Sequence, residues 1–308
     1  MSRAETDKVS PDIDLDEARE YFRRSTLTPV RAFGDDAQSK RSLGKVIAGL
    51  HALGPSDQEK VILSDDRLAR GRLEESVYPW VRVCRLRVRC PDENGQPVSS
   101  ACIGTGWFAG PKTIITAGHV LYDTDWPERN ATTPAWGAMA DIWIGYREGL
   151  ALGHANSAKF RVTDAWKAFV DAGPEEGQRR SQIDLGCIQL GESLFDFPKY
   201  FDLNDVGDAA LTGQLATISG YPTDRDGSQI QYSASDTIGA VEPTFFYHKI
   251  DTFGGQSGAP VWLGGKGVAQ PSVVGIHTGG SEGEVRNWAV RMTSDVKALI
   301  QDWVAENP

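Results

Sequence analysis

Gly254-Gly255-Gln256-Ser257-Gly258-Ala259-Pro260 sets one serine in a glycine-rich turn directly before an apolar strand start, Val261-Trp262. A serine hydroxyl attacks poorly at neutral pH unless a base takes its proton and N–H groups meet the oxyanion it creates. Glycine, lacking Cβ, adopts the backbone dihedrals that turn successive N–H groups toward one point. The turn therefore nominates Ser257 as a nucleophile and the N–H groups of Gly255 and Ser257 as an oxyanion hole.

Two other segments supply what such a serine needs. Thr116-Ala117-Gly118-His119-Val120 follows the β-branched run Thr113-Ile114-Ile115, which predicts a buried strand ending in a small-residue turn that presents His119 as a base. Asp184 heads the alternating stretch Leu185-Gly186-Cys187-Ile188-Gln189-Leu190, where a partly buried carboxylate can orient an imidazole. Asp141, in the alternating run Asp141-Ile142-Trp143-Ile144, is the reserve candidate for the same task.

Taken in order, His119, Asp184 and Ser257 with their flanking residues resemble the chymotrypsin-like (trypsin-like) serine peptidases. Asp251 to Pro260 and Val274-Gly275-Ile276-His277-Thr278-Gly279-Gly280 are most similar to the glutamyl endopeptidase branch. The resemblance implies an all-β fold of two six-stranded antiparallel β-barrels, about 75–195 and about 205–290, with the site between them. It implies an endopeptidase with a His119, Asp184, Ser257 triad, acting on protein or peptide substrates and preferring glutamate before the scissile bond. A pocket reading that side chain must offset carboxylate desolvation, and the resemblance assigns this to Thr252, His277, Thr278 and Gly279, with the α-amino group of a mature terminus at Val61. Two departures stand out: Gln256 precedes the serine where trypsin has an aspartate, and Val120 follows the histidine where trypsin has a cysteine. Alternative readings are a catalytically silent peptidase-like binding module and a peptidase of different specificity.

Residues 1–60 differ in character. A capping-box pattern, Asp14 with Glu17, predicts a helix over 14–24, and Leu43, Val46, Ile47, Leu50 and Leu53 predict a second one ending at Gly54-Pro55. This short helical segment is read either as a propeptide, removed by an activating peptidase cutting near Val61 to convert a zymogen, or as a permanent regulatory extension of the 61–308 peptidase domain. A further helix is expected at about 294–305, with Thr293 and Ser294 as caps. The connection from Tyr122 to Gln182 is long for this fold.

The net charge of −10 argues against a nucleic-acid partner, which needs a basic face. Arg85, Arg87 and Arg89 alternate with Cys84, Leu86, Val88 and Cys90, so a solvated arginine face on a half-buried strand is expected. Cysteines 84, 90, 102 and 187 allow three full pairings; packed free thiols are the expectation. No cofactor is implied, and no His/Cys cluster has metal-ligand spacing. The first thirty residues hold no apolar core of a signal peptide, and no run of eighteen apolar residues occurs. No membrane span is expected; a cytoplasmic location is favoured for this chain, with secretion as the alternative that the resemblance implies.

Overall fold

Short β-branched and aromatic runs, broken by glycine and proline turns, pair here into two large sheets, each with a core of its own, beside two small two-stranded ones. A computed structural model describes residues 30–31, 61–62, 64–124, 126, 133–173, 183–195, 197, 199–264, 270–280 and 286–308. The helices expected over 14–24 and 43–53 lie outside the described residues.

The first sheet contains β1 (Val83–Pro91), β2 (Pro97–Gly110), β3 (Thr113–Thr116), β4 (Met139–Ile144), β5 (Gly153–Ser157), β6 (Phe160–Val162) and β7 (Gly186–Gln189). Its order is β5-β4-β1-β2-β3-β7-β6, antiparallel throughout. β5 and β6 occupy opposite edges, yet only Ala158 and Lys159 separate them in the chain. Ser157 Oγ donates to the Gln189 carbonyl at 2.6 Å and Gln189 N–H to the Lys159 carbonyl at 2.9 Å, so the sheet curls until one bent strand serves both edges. Counted that way it has the expected six strands. Cys84, Leu86, Val88 and Cys90 point inward and are fully buried with Phe108, Ile114, Ile142 and Ile188, as their alternation demands.

The second sheet contains β8 (Leu215–Gly220), β9 (Tyr232–Val241), β10 (Phe245–His248), β11 (Pro260–Leu263), β12 (Ser272–Gly280) and β13 (Asn287–Arg291). Its order is β12-β11-β8-β9-β10-β13, and β13 pairs back onto β12 to close a six-stranded antiparallel barrel. A two-residue strand, Asp202–Leu203, joins β12 from outside in parallel.

Helix α1 (Asp164–Asp171) lies in the long connection, and helix α2 (Ser294–Ala305) closes the chain. Thr163 and Thr293 cap them by accepting the N–H groups of Trp166 and Val296. α2 buries Val296, Ile300 and Trp303 in a cluster that includes Trp107 and Ile115 of the first sheet and Trp262 and Val290 of the second. It thereby fastens the two barrels together.

The arginine face is solvated only in part: Arg87 and Arg89 are half-buried, whereas Arg85 is withdrawn from water. Arg85 is buried, its guanidinium 5.0 Å from the Trp143 ring and 4.8 Å from that of Tyr146, and its Nε donates to Ser228 of the second barrel's loop at 3.1 Å. Arg89 grips Asp141 with two hydrogen bonds of 3.0 and 3.2 Å, and Arg87 lies 3.7 Å from the same carboxylate. The alternation holds, and its outer face is roofed by aromatic rings and the neighbouring barrel at Arg85 only. All four cysteines are free thiols, three of them buried.

Candidate active site

β3 ends by placing Ala117 in extended backbone, after which a single 3-10 turn, Gly118–Val120, carries His119. A Cβ at Gly118 would lie 2.7 Å from the Trp166 ring and 2.9 Å from Asp184 Oδ1, so only glycine lets the turn approach both. Asp184 is buried just before β7, in a segment held by α1's cap: Thr163 Oγ1 donates to the Ile183 carbonyl at 2.6 Å, and Thr163 N–H to the Leu185 carbonyl at 3.0 Å. Asp184 Oδ2 is 2.7 Å from His119 Nδ1, and Oδ1 accepts the backbone N–H of His119 at 2.9 Å. A carboxylate only accepts, so Nδ1 carries the ring proton and Nε2 the basic lone pair. The Trp166 ring backs the imidazole edge-on, 6.3 Å between centroids, which gives part of the long connection a task at the site.

Ser257 sits on the opposite side of the seam. Gly255 has φ +99° and a Cβ there would fall 2.5 Å from the Tyr221 carbonyl; Gly258 has φ +88° and its Cβ would fall 2.2 Å from Thr116 Oγ1 and 2.7 Å from Ala117 N. Both positions exclude a side chain by conformation and by space. The second clash also locates the serine turn, packed against the residues just before His119. Thr105 of β2 fixes the junction: its N–H donates to the Ser257 carbonyl at 2.9 Å, its hydroxyl to the Gly255 carbonyl at 2.7 Å, and its carbonyl accepts Thr116 Oγ1 at 2.8 Å. Gln256, where trypsin has an acid, is buried and accepts the Phe253 N–H at 3.1 Å.

Behind the serine, Gly258 N–H donates to the His277 carbonyl at 2.7 Å and His277 N–H to the Ala259 carbonyl at 2.9 Å. His277 and Thr252 are buried, Thr278 is half-buried, and Gly279 packs where a Cβ would meet the Trp288 ring at 2.7 Å. Thr252 Oγ1 is a buried hydroxyl with no hydrogen-bond partner among the described residues. His277 Nδ1 lies 3.2 Å from Nε2 of the buried His248, and burial, with His277 beside it, pushes the His248 pKa well down. Val61 is half-buried, one residue before Ile62, whose N–H donates to Asp251 Oδ1 at 2.5 Å.

Residues 104–276, more than half of the chain, match the family model of the trypsin-like peptidase domain. The chain belongs to the trypsin-like peptidases. Over 261 residues it is 29% identical to the glutamyl endopeptidase of Bacillus licheniformis, covering 82% of this chain and 71% of the relative. Over 226 residues it is 25% identical to a protein of Bacillus subtilis named extracellular metalloprotease, covering 73% and 64%. A solved Glu endopeptidase in complex with MPD superposes with a TM-score of 0.59 at 23% identity, covering 80% of this chain and all of that one. The peptidase is therefore a chymotrypsin-like serine endopeptidase near the glutamyl endopeptidase branch.

For this peptidase, geometry separates the two aspartates that sequence offered: Asp184 meets His119, while Asp141 is occupied by Arg87 and Arg89. Thr105 and Asp251 were not anticipated, Thr105 because a strand threonine carries no local mark of its partners. A cytoplasmic location gains no support from the relatives, one of which is named extracellular. Among the described residues no helix is long and apolar enough to cross a membrane.

Proposed function

We propose that the peptidase hydrolyses peptide bonds with His119, Asp184 and Ser257 as its catalytic triad. The observation that carries this is the two-point grip of Asp184 on His119, on the seam against which the Ser257 turn packs. Ser257 Oγ forms a bond to the scissile carbonyl carbon as its proton passes to His119 Nε2; the carbonyl electrons move to oxygen, where the N–H groups of Gly255 and Ser257 receive the negative charge. The imidazolium, stabilised by Asp184, then gives that proton to the departing amine as the C–N bond breaks, leaving an acyl-enzyme. Water, deprotonated by His119, attacks the ester, and the serine leaves with its proton restored.

The same reading assigns glutamate preference to Thr252 and His277, with Thr278 and Gly279 on the pocket wall. A buried hydroxyl without a partner is costly, and a substrate carboxylate oxygen would relieve it at Thr252, which has none among the described residues. Cleavage at Lys60-Val61 by a second peptidase would add a free amine at Val61, and the chain with residues 1–60 attached would be a zymogen.

The experiment is fluorophosphonate labelling followed by peptide-library profiling. Ser257 should be the labelled residue, Ser257→Ala should abolish labelling and lower turnover by about three or more orders of magnitude, and cleavage should follow glutamate. Unchanged labelling in Ser257→Ala would overturn the triad; a library dominated by basic or large apolar residues would overturn the glutamate preference. Equal glutamyl activity in chains with and without residues 1–60 would make that segment an accessory.

A further inference from the structure

Asp251 is a buried carboxylate outside the proton relay. Both its oxygens are engaged by one distant segment: Oδ1 accepts the N–H of Ile62 at 2.5 Å, and Oδ2 that of Asp66 at 2.9 Å, across 189 and 185 positions of sequence. The segment is anchored again by Arg67, whose buried guanidinium bonds Asp65 Oδ2 at 2.8 Å and Asp224 at 2.9 and 2.5 Å. Asp251 immediately precedes Thr252, and Val61 immediately precedes Ile62. One carboxylate therefore joins the pocket wall to the stretch of chain that begins at Val61.

Its sign makes this placement informative. A buried anion next in sequence to a residue proposed to receive a substrate carboxylate opposes that substrate and is itself costly to desolvate. Two charge-assisted bonds from backbone donors offset both effects, because they absorb the charge and spend it on fixing the segment. A backbone donor cannot be replaced by a neighbouring side chain, so the contact is specific to the backbone placement of Ile62 and Asp66.

We infer that Asp251 is a positioning residue for specificity: through Ile62 and Asp66 it latches the chain beside Val61 onto the pocket wall and so sets affinity for the substrate's glutamate side chain without touching it. The inference rests on the glutamate preference proposed above. It assigns the latch to backbone N–H groups, so proline at a donor position should act as loss of the acid does.

The test is a double-mutant cycle in the full chain, assayed in the form that turns over glutamyl peptides, with Asp251→Ala, Ile62→Pro and both together. Each single variant should lose about 10- to 100-fold in glutamyl kcat/KM, carried by KM. The double variant should be no worse than the poorer single one, and fluorophosphonate labelling of Ser257 should stay within about threefold of the parent. Asp251→Asn, keeping one acceptor, should fall between. Losses that multiply in the double variant, or labelling that falls in step with glutamyl turnover, would overturn the latch. Should Asp251→Ala fail to fold, Ile62→Pro reads the same contact from its other side. Absence of glutamate preference in the parent enzyme would be a failure of the pocket assignment, visible before any variant is made.

Discussion

Asp184→Asn tests the relay most sharply, because the wild-type carboxylate makes two different contacts to one residue. Asp184 Oδ1 accepts the His119 backbone N–H at 2.9 Å, and Oδ2 faces Nδ1 at 2.7 Å. An asparagine can keep only one of these as an acceptor. If its oxygen stays on the backbone N–H, its NH2 meets Nδ1, which must then be unprotonated, and the proton moves to Nε2, where it blocks acceptance from Ser257. If the amide flips, the ring keeps its tautomer but NH2 faces N–H, an unsatisfied buried donor pair costing about 1 to 3 kcal/mol. The productive arrangement is then reduced about 5- to 150-fold. The imidazolium formed in the transition state also loses a charged partner, about 1.5 to 3 kcal/mol more. Together these predict a fall of about 10² to 10⁴ in kcat/KM, with little change in stability because shape and one hydrogen bond persist. The assay is the second-order rate of fluorophosphonate labelling alongside peptide turnover and a melting curve. A folded Asn variant within threefold of wild type would refute the reasoning, as would an equal loss in Asp141→Asn, which should stay within about twofold since its partners are Arg87 and Arg89.

Gly258→Ala should cost about 2 to 5 kcal/mol in urea denaturation, from left-handed backbone strain and overlap with Thr116 Oγ1 and the Thr105 carbonyl, 2.2 and 2.3 Å from the added carbon; a change below about 1 kcal/mol would contradict the packing. Burial pushes the Cys84 thiol far up and that of Cys187 to about 12, so at pH 8 neither should react with an alkylating reagent in the native protein, while both react after unfolding; mass spectrometry would count the adducts. The folded pKa of His248 lies below its ordinary 6.5, so the unfolded state binds the extra proton and this stability is present above pH 6.5 and lost as pH falls below it. Melting temperature should therefore drop on acidification from pH 7 to 5, and His248→Asn should flatten that slope; an unchanged slope would assign the acid sensitivity elsewhere.

Some of this was legible in sequence because it is local. A glycine-serine turn, a strand ending in His119, the alternation of Cys84 to Cys90 and the caps of the closing helix are each written in contiguous residues, where backbone period and conformational freedom act directly. Through the family resemblance they carry, those fragments implied the barrels and the three residues proposed here as the relay; the helix followed from its own caps and apolar face. Contacts across the chain were not legible, since nothing in a residue's neighbours states what a distant backbone will bring to it. Which aspartate meets His119 was decided by how β7 pairs with β3 beside the α1 cap, 65 positions away. Burial of Arg85 depends on a loop of the other barrel, 143 positions away. Thr105 clamps the serine turn, and Asp251 holds residues 62 and 66, only because two barrels close against each other and a preceding segment crosses their surface. Periodicity selects the faces that turn inward; the closure of the sheets selects which polar groups those faces meet.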